Sequence, residues 1–195
     1  MITTDQIKEL RDATGVSVMQ CKKALEEAGG DLEKAKIILH KVSKQSADKK
    51  ADRTLAAGTV ASYIHGTGSI GAIIELLCET DFVARNDEFK ALAREIAMHI
   101  AAQAPEYLKM EDVSEEDKAK AKELFEKEAE ESNKPKEIRD KIIEGKLASY
   151  FGEKVLLDQN FIKNPEVTIR SLTEQAAQKF GERTEIGRFQ RFSIN

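Results

Sequence analysis

The sequence is poor in the residues and patterns that mark secreted and membrane proteins. It has no tryptophan, three prolines and two cysteines, Cys21 and Cys78, which are too few for the disulfide framework of a small secreted protein. No apolar run reaches the length that crosses a bilayer. The first five residues have neither the apolar core of a signal peptide nor the arginine-rich pattern of a transit peptide. We therefore expect a cytoplasmic protein with no membrane partner.

Positive charge is not in excess either. Lys and Arg number 31 against 35 Asp and Glu, which gives a formal net charge of −4 and a pI of about 5.6. This balance disfavours a nucleic-acid partner, because nucleic-acid platforms are usually basic. A composition that is 41% hydrophobic and 34% charged is typical of a folded chain. The length suffices for one core and a small satellite domain.

Three short helices are predicted before residue 43. Each has one apolar face and follows a capping residue; the capping residues are Thr3, Ser17 and Asp31. Three such helices can form a small bundle, although 43 residues lie near the lower limit for independent folding. We assign residues 1–43 to this domain, and residues 44–57, which are polar and mixed in charge, to a linker that can be helical in part.

An α+β core is predicted for residues 58–195. Two apolar runs separated by a glycine-rich tip at 65–69 predict a β-hairpin. Apolar residues at helical spacing between 86 and 104 predict a long helix, and further helices are predicted to start near 114, 135 and 168. Residues 154–161 are predicted to be extended or turn, and 184–194 to form a final strand. We therefore expect a small antiparallel sheet packed with helices, next to the N-terminal helical domain.

No catalytic chemistry is indicated. The three histidines, His40, His65 and His99, stand far apart with no cysteine or carboxylate at metal-ligand spacing. The glycines at 66 and 68 join two strands, not a strand and a helix, which argues against a phosphate loop. No serine, threonine or cysteine lies in a nucleophile motif. We expect no bond-making enzyme, no metal site and no cofactor.

The segment between the hairpin and the long helix is unusual. Thr80 or Asp81 can cap a turn there, and Phe82 and Val83 follow at the corner, off the inward stripe of the helix. A phenylalanine at such a corner either packs in the core or contacts a partner. From the residues alone core packing is the commoner outcome.

Two motifs carry a family resemblance. Residues 75–86, Glu-Leu-Leu-Cys-Glu-Thr-Asp-Phe-Val-Ala-Arg-Asn, closely resemble the signature of elongation factor Ts, the nucleotide-exchange factor of translation elongation factor Tu. Residues 10–35 are similar to the amino-terminal domain of that family. Three positions depart from the usual pattern: Leu77 replaces Asn or Val, Gln20 replaces Asp, and Asn160 replaces Pro. The resemblance covers nearly the whole chain and fits the short form of the family.

The resemblance implies a function. The chain would bind elongation factor Tu with GDP and promote the release of GDP and Mg²⁺. Asp81 and Phe82 would insert between helices of Tu's nucleotide domain near the Mg²⁺ site. Short-form relatives are homodimers through the core, so a homodimer is expected. The partner-binding residues implied are Thr80, Asp81, Phe82 and Val83 at the corner; Arg11, Val18, Met19 and Lys22 in the first domain; and His65 at the hairpin tip.

An alternative function rests on the first domain alone. Its three-helix shape also resembles ubiquitin-associated domains, which would make the chain a protein-binding adaptor. That hypothesis leaves the corner motif and the α+β core without a role. Binding to Tu or to ubiquitin discriminates between the two functions.

Overall fold

The computed structural model describes residues 2–130 and 135–194. Met1, Asn195 and residues 131–134, which end a charge-rich stretch of the sequence, lie outside the described residues. Within the described part the chain forms eight α-helices and five β-strands. The helices are α1 (Thr4–Thr14), α2 (Val18–Glu27), α3 (Leu32–Asp48), α4 (Asp81–Ala84), α5 (Asp87–Gln103), α6 (Glu115–Glu130), α7 (Lys136–Gly152) and α8 (Ile169–Phe180). The strands are β1 (Ala57–His65), β2 (Ile70–Cys78), β3 (Asn160–Phe161), β4 (Asn164–Thr168) and β5 (Glu185–Ser193).

Helices α1 to α3 form the small N-terminal bundle, whose shape fits a ubiquitin-associated-like domain. The bundle begins with a capping box, in which Thr3 Oγ1 accepts from the backbone N–H of Gln6 at 3.2 Å and the Gln6 side chain accepts from the Thr3 N–H at 3.0 Å. One apolar face of each helix is turned to a common core. The buried residues of this core are Leu10, Val16, Cys21, Ala24, Leu25, Ala35 and Leu39.

Helix α3 continues to Asp48, into the segment where a linker is predicted, and packs against α8. Ser43 is fully buried, and its hydroxyl donates to the side-chain oxygen of Gln178 on α8. This contact joins the N-terminal bundle to the core. The division of the chain at residues 43 and 57 stays a prediction.

The predicted α+β architecture is confirmed. Strands β1, β2 and β5 form an antiparallel sheet in the order β1-β2-β5. Gly66 and Gly68 have φ angles of 52° and 94° at the hairpin tip, a conformation that glycine adopts without steric cost. Helix α5 packs on the inner face of this sheet, and the core between them includes Ile74, Leu76, Phe89, Ile96 and Ile100.

Strands β3 and β4 form a second, two-stranded sheet, which the sequence pattern does not predict. It lies beside His99, a fully buried side chain of α5. The Ile162 N–H lies 3.3 Å from His99 Nδ1, and His99 Nε2 lies 2.9 Å from Gln159 Oε1. Because Nδ1 accepts from a backbone N–H, the ring is neutral and its Nε2–H donates to Gln159. Burial lowers the pKa of His99, so its role is packing and hydrogen bonding.

We expect His99 to make stability depend on pH. Its pKa is lowered in the folded protein, so protons bind the unfolded chain more tightly and stability falls as pH drops below about 6.5. The largest possible loss between pH 7.5 and 5.5 is about 1.4 kcal/mol. Urea unfolding at the two pH values measures it. His99→Gln should flatten the dependence, and equal slopes in the wild type and His99→Gln would exclude this source.

Candidate functional site

The corner between β2 and α5 is built by two successive helix caps. Thr80 Oγ1 accepts from the Val83 N–H at 3.4 Å and begins the single turn α4. Asn86 Oδ1 then accepts from the Glu88 N–H at 2.8 Å and begins α5. Of the two capping candidates in the sequence, Thr80 is therefore the one that caps the turn.

Phe82 is the most conspicuous side chain of this corner. It is 81% exposed, whereas Val83 and Ala84 next to it are 4% and 8% exposed and belong to the core. The one turn of α4 places those two residues against the sheet, so Phe82 extends into solvent. A phenylalanine with this exposure is not packing its own core. The core-packing interpretation of Phe82 is excluded by this geometry.

Asp81 lies on the exposed side of the same turn. Its Oδ2 atom is 2.9 Å from Arg85 Nη2, and both side chains are more than two-thirds exposed. An exposed ion pair of this kind contributes little to stability, because water screens both charges. The Asp81 carboxylate can therefore leave Arg85 for a partner at small cost.

The side chain of Glu79, at the end of β2 beside the corner, is bonded to two other segments of the chain. Glu79 Oε1 accepts from the Arg183 N–H at 2.6 Å and from Arg53 Nη1 at 3.2 Å. The Arg183 N–H and the Arg53 guanidinium lower the pKa of Glu79, which is thus a carboxylate at neutral pH. Arg183 Nη1 also donates to the Arg53 carbonyl oxygen at 2.6 Å.

The other predicted contact residues lie on separate elements. Met19 and Val18, in the first turn of α2, are 81% and 52% exposed. Arg11 on α1 is exposed, and exposed Lys22 lies 3.9 Å from Glu26. His65, at the end of β1, is exposed and lies 3.1 Å from the Tyr63 hydroxyl through Nδ1. Their contact with a partner stays a prediction, and so does that of Val83, whose side chain is buried.

Sequence reasoning missed Glu182 and Arg183, which follow α8 and bond to the corner. Glu182 and Thr80 are 102 residues apart in the chain, so no local pattern joins them. The bonds of Glu182 and Arg183 to Glu79 and Thr80 form because β5, which follows them, pairs with β2, which precedes the corner.

We searched the described residues for metal ligands and for an activated cysteine. Within 2–130 and 135–194, no group of three or more His, Cys, Asp or Glu side chains could hold a metal ion. Burial raises the pKa of both thiols, Cys21 and Cys78, and so disfavours the reactive thiolate. Among the same residues, no helix is both long and apolar enough to span a membrane.

Comparison with known proteins points to one family. The family model described as Elongation factor TS matches residues 33–195. The elongation factor Ts of Carboxydothermus hydrogenoformans is 48% identical over 194 residues, which cover 100% of this chain and 89% of that protein. The elongation factor Ts of Coprothermobacter proteolyticus is 47% identical over 193 residues, covering 99% and 98%. That of Thermosipho melanesiensis is 45% identical over 194 residues, covering 100% and 99%.

Proposed function

The chain belongs to the elongation factor Ts family, and we propose that it is the guanine-nucleotide exchange factor of elongation factor Tu. It binds Tu with GDP in the cytoplasm and promotes the release of GDP and Mg²⁺ during translation elongation. The observation that carries the proposal is the exposure of Phe82, which is 81%, at the centre of the motif that resembles the family signature.

An exchange factor of this kind works by linkage. It binds nucleotide-free Tu more tightly than Tu with GDP, so by reciprocity it weakens the binding of GDP by the same factor. No bond is made or broken on the factor itself. The only requirement on this chain is a surface whose contacts are better with the nucleotide-free form of its partner.

Phe82 supplies such a contact. Burying one phenylalanine ring between helices of Tu contributes roughly 1.5–3 kcal/mol. At about 1.4 kcal/mol for each tenfold change, this corresponds to one to two orders of magnitude in nucleotide affinity. Asp81 precedes the ring in the same turn, and its carboxylate, released from the exposed pair with Arg85, can displace polar contacts that support the Mg²⁺ ion. Val83 packs beneath the turn and holds the ring outward.

Further contacts add to the effect of the ring. Met19 has the exposure and the flexible thioether side chain of an interface anchor, and Val18 lies next to it. Arg11 and Lys22 place positive charge on the same domain, and His65 extends the surface at the hairpin tip. A partner that contacts all three regions is a large protein, in agreement with Tu.

The proposal is tested by release of a fluorescent GDP analogue from Tu. Catalytic amounts of this chain should accelerate release in excess unlabelled GDP, and release without the factor gives the baseline. A pull-down with Tu and with ubiquitin tests the adaptor alternative in parallel. Binding of ubiquitin without accelerated GDP release would replace the exchange function with the adaptor function.

The proposal includes a homodimer through the sheet. The face of the sheet opposite α5 carries exposed apolar side chains on all three strands, and one more follows the end of β5. They are Val60, Ile64, Ile73, Phe192 and Ile194, between 41% and 81% exposed. Gly71 stands between Ile64 and Phe192 in the strand register. An apolar sheet face of this kind fits the same face of a second copy around a two-fold axis.

The dimer predicts a measurable mass. Analytical ultracentrifugation should give a molecular mass twice that of one 21.7 kDa chain. Ile64→Lys should raise the dissociation constant of the dimer at least about tenfold, because it would bury a charge in the interface. Ile37 on α3 has a similar exposure, 68% against 64%, and Ile37→Lys is the matched control that should stay dimeric. A wild-type monomer at micromolar concentration would contradict the dimer.

A further inference from the structure

The backbone of the corner is bonded to a glutamate 102 residues further along the chain. Glu182 Oε2 accepts from the N–H groups of Glu79 at 3.1 Å and Thr80 at 3.0 Å. Its other oxygen, Oε1, accepts from the Thr80 hydroxyl at 2.6 Å. One carboxylate thus satisfies two consecutive backbone donors and the hydroxyl that caps α4.

These bonds use two backbone N–H groups that take no part in the pairing of β1 with β2. The pairing of β2 with β1 ends at Cys78, opposite Ala57, so the next two N–H groups lie beyond the ladder. Because the Thr80 hydroxyl donates its proton to Glu182, its oxygen lone pairs are left for the Val83 N–H. The carboxylate therefore orients the cap as well as the strand end.

A second carboxylate makes the complementary bond. Glu79 Oε1 accepts from the Arg183 N–H at 2.6 Å, so Glu79 and Glu182 each bond to the backbone of the other's segment. The helix that these bonds support, α4, has only four residues. One turn of helix is not stable by itself, because nucleation costs more than a single hydrogen bond returns. The conformation that exposes Phe82 depends on outside support.

We propose that Glu182 is a positioning residue for nucleotide exchange, holding the corner in the conformation that presents Phe82 to the partner. This inference rests on the proposed function. Glu182 does not act on the nucleotide. It raises the fraction of free protein in which the ring stands ready to insert, so that binding does not have to order the corner.

The inference predicts a particular change in kinetics. When only a fraction of the factor is competent, its apparent dissociation constant rises in inverse proportion to that fraction. Glu182→Ala should raise the factor concentration that gives half-maximal GDP release about tenfold. The rate at saturating factor should stay unchanged, since the intact ring still inserts. A loss of the ring itself would instead lower the saturated rate.

The experiment measures release of fluorescent GDP from Tu over a range of factor concentrations. Glu182→Gln is the conservative variant: its amide oxygen can accept from both N–H groups while its NH₂ donates to Thr80 Oγ1. It should restore the half-maximal concentration to within about threefold of the wild type, because replacing a charged acceptor weakens the bonds without removing them. Glu185→Ala is the matched control: it removes a neighbouring carboxylate that pairs with the Arg183 guanidinium at 2.8 Å, and within the described residues Glu185 makes no bond to residues 79–86. It should behave as the wild type.

Amide hydrogen exchange of the same proteins, read by NMR, supplies the structural signal. The amides of Glu79 and Thr80 should exchange faster in Glu182→Ala than in Glu185→Ala, while core amides of α5 stay protected. If these two amides are unaffected, or if the half-maximal concentration does not move, Glu182 has no positioning role. Should Glu182→Ala unfold, Glu182→Asp decides: its carboxylate is one methylene shorter and cannot hold all three donors, so the half-maximal concentration and the exchange of both amides should rise, and no change in either would exclude the positioning role. A wild type that fails to accelerate release would overturn the proposed function itself, whatever the amides show.

Discussion

Replacing Phe82 with alanine is expected to reduce stimulated GDP release at least about tenfold while the protein stays folded. The ring is 81% exposed, so removing it takes little buried surface from the folded chain and the free energy of unfolding should be nearly unchanged. In the proposed complex the same ring would be buried in Tu, and its loss would remove roughly 1.5–3 kcal/mol of contact with the nucleotide-free form. Stopped-flow release of fluorescent GDP, with urea unfolding of the same preparation, measures both quantities.

A matched control separates the corner from exposed apolar residues in general. Leu124 on α6 is 52% exposed and lies in no predicted contact region, so Leu124→Ala should leave GDP release at the wild-type rate. The rate should fall for Phe82→Ala even at saturating factor, because the ring that inserts between the helices of Tu is missing. Normal release by a folded Phe82→Ala protein would mean that other residues carry the exchange.

The exposure of Phe82 shows where sequence reasoning reaches its limit. Helical spacing identifies the inward stripe of α5 correctly, from Phe89 to Ile100, because one face of a regular helix is buried along its length. At the corner the chain makes a single turn, and no period extends over enough residues to separate core from surface. Burial there is decided by how α4 meets the sheet, which the local pattern does not contain.

The parts of the fold that the sequence did not predict depend on distant contacts. Strand β4 is short and carries Pro165, and its pairing to β3 follows from packing beside the buried His99. Helix α3 continues to Asp48, within the segment assigned to a partly helical linker, and its packing on α8, where Ser43 bonds to Gln178, is the part that local pattern does not contain. Glu182 belongs to the same class, since its bonds to residues 79 and 80 span 103 and 102 positions of the chain.

A second phenylalanine, seven positions along the chain, should behave in the opposite way. Phe89 in the first turn of α5 is fully buried, and its ring meets that of Phe180 edge to face with centroids 5.5 Å apart. Truncating a buried phenylalanine loses its transfer free energy and leaves a cavity, so Phe89→Ala should lower the free energy of unfolding by about 3–5 kcal/mol. The edge-to-face pair with Phe180 adds roughly 0.5–1.5 kcal/mol beyond the buried area. Urea unfolding followed by far-UV circular dichroism measures the loss.

This loss is comparable with the whole stability of a marginal domain, so a milder variant keeps the measurement possible. Phe89→Leu retains most of the volume and should cost about half as much or less. Because Phe89 does not face the partner, the folded fraction of Phe89→Leu should release GDP from Tu at the wild-type rate per folded molecule. The two variants would then have opposite effects. Phe82→Ala would lose nucleotide exchange and keep its stability, whereas Phe89→Leu would lose stability and keep nucleotide exchange. If each variant lost both stability and nucleotide exchange, the corner would matter for exchange because it keeps the core folded, and not because its ring inserts into a partner.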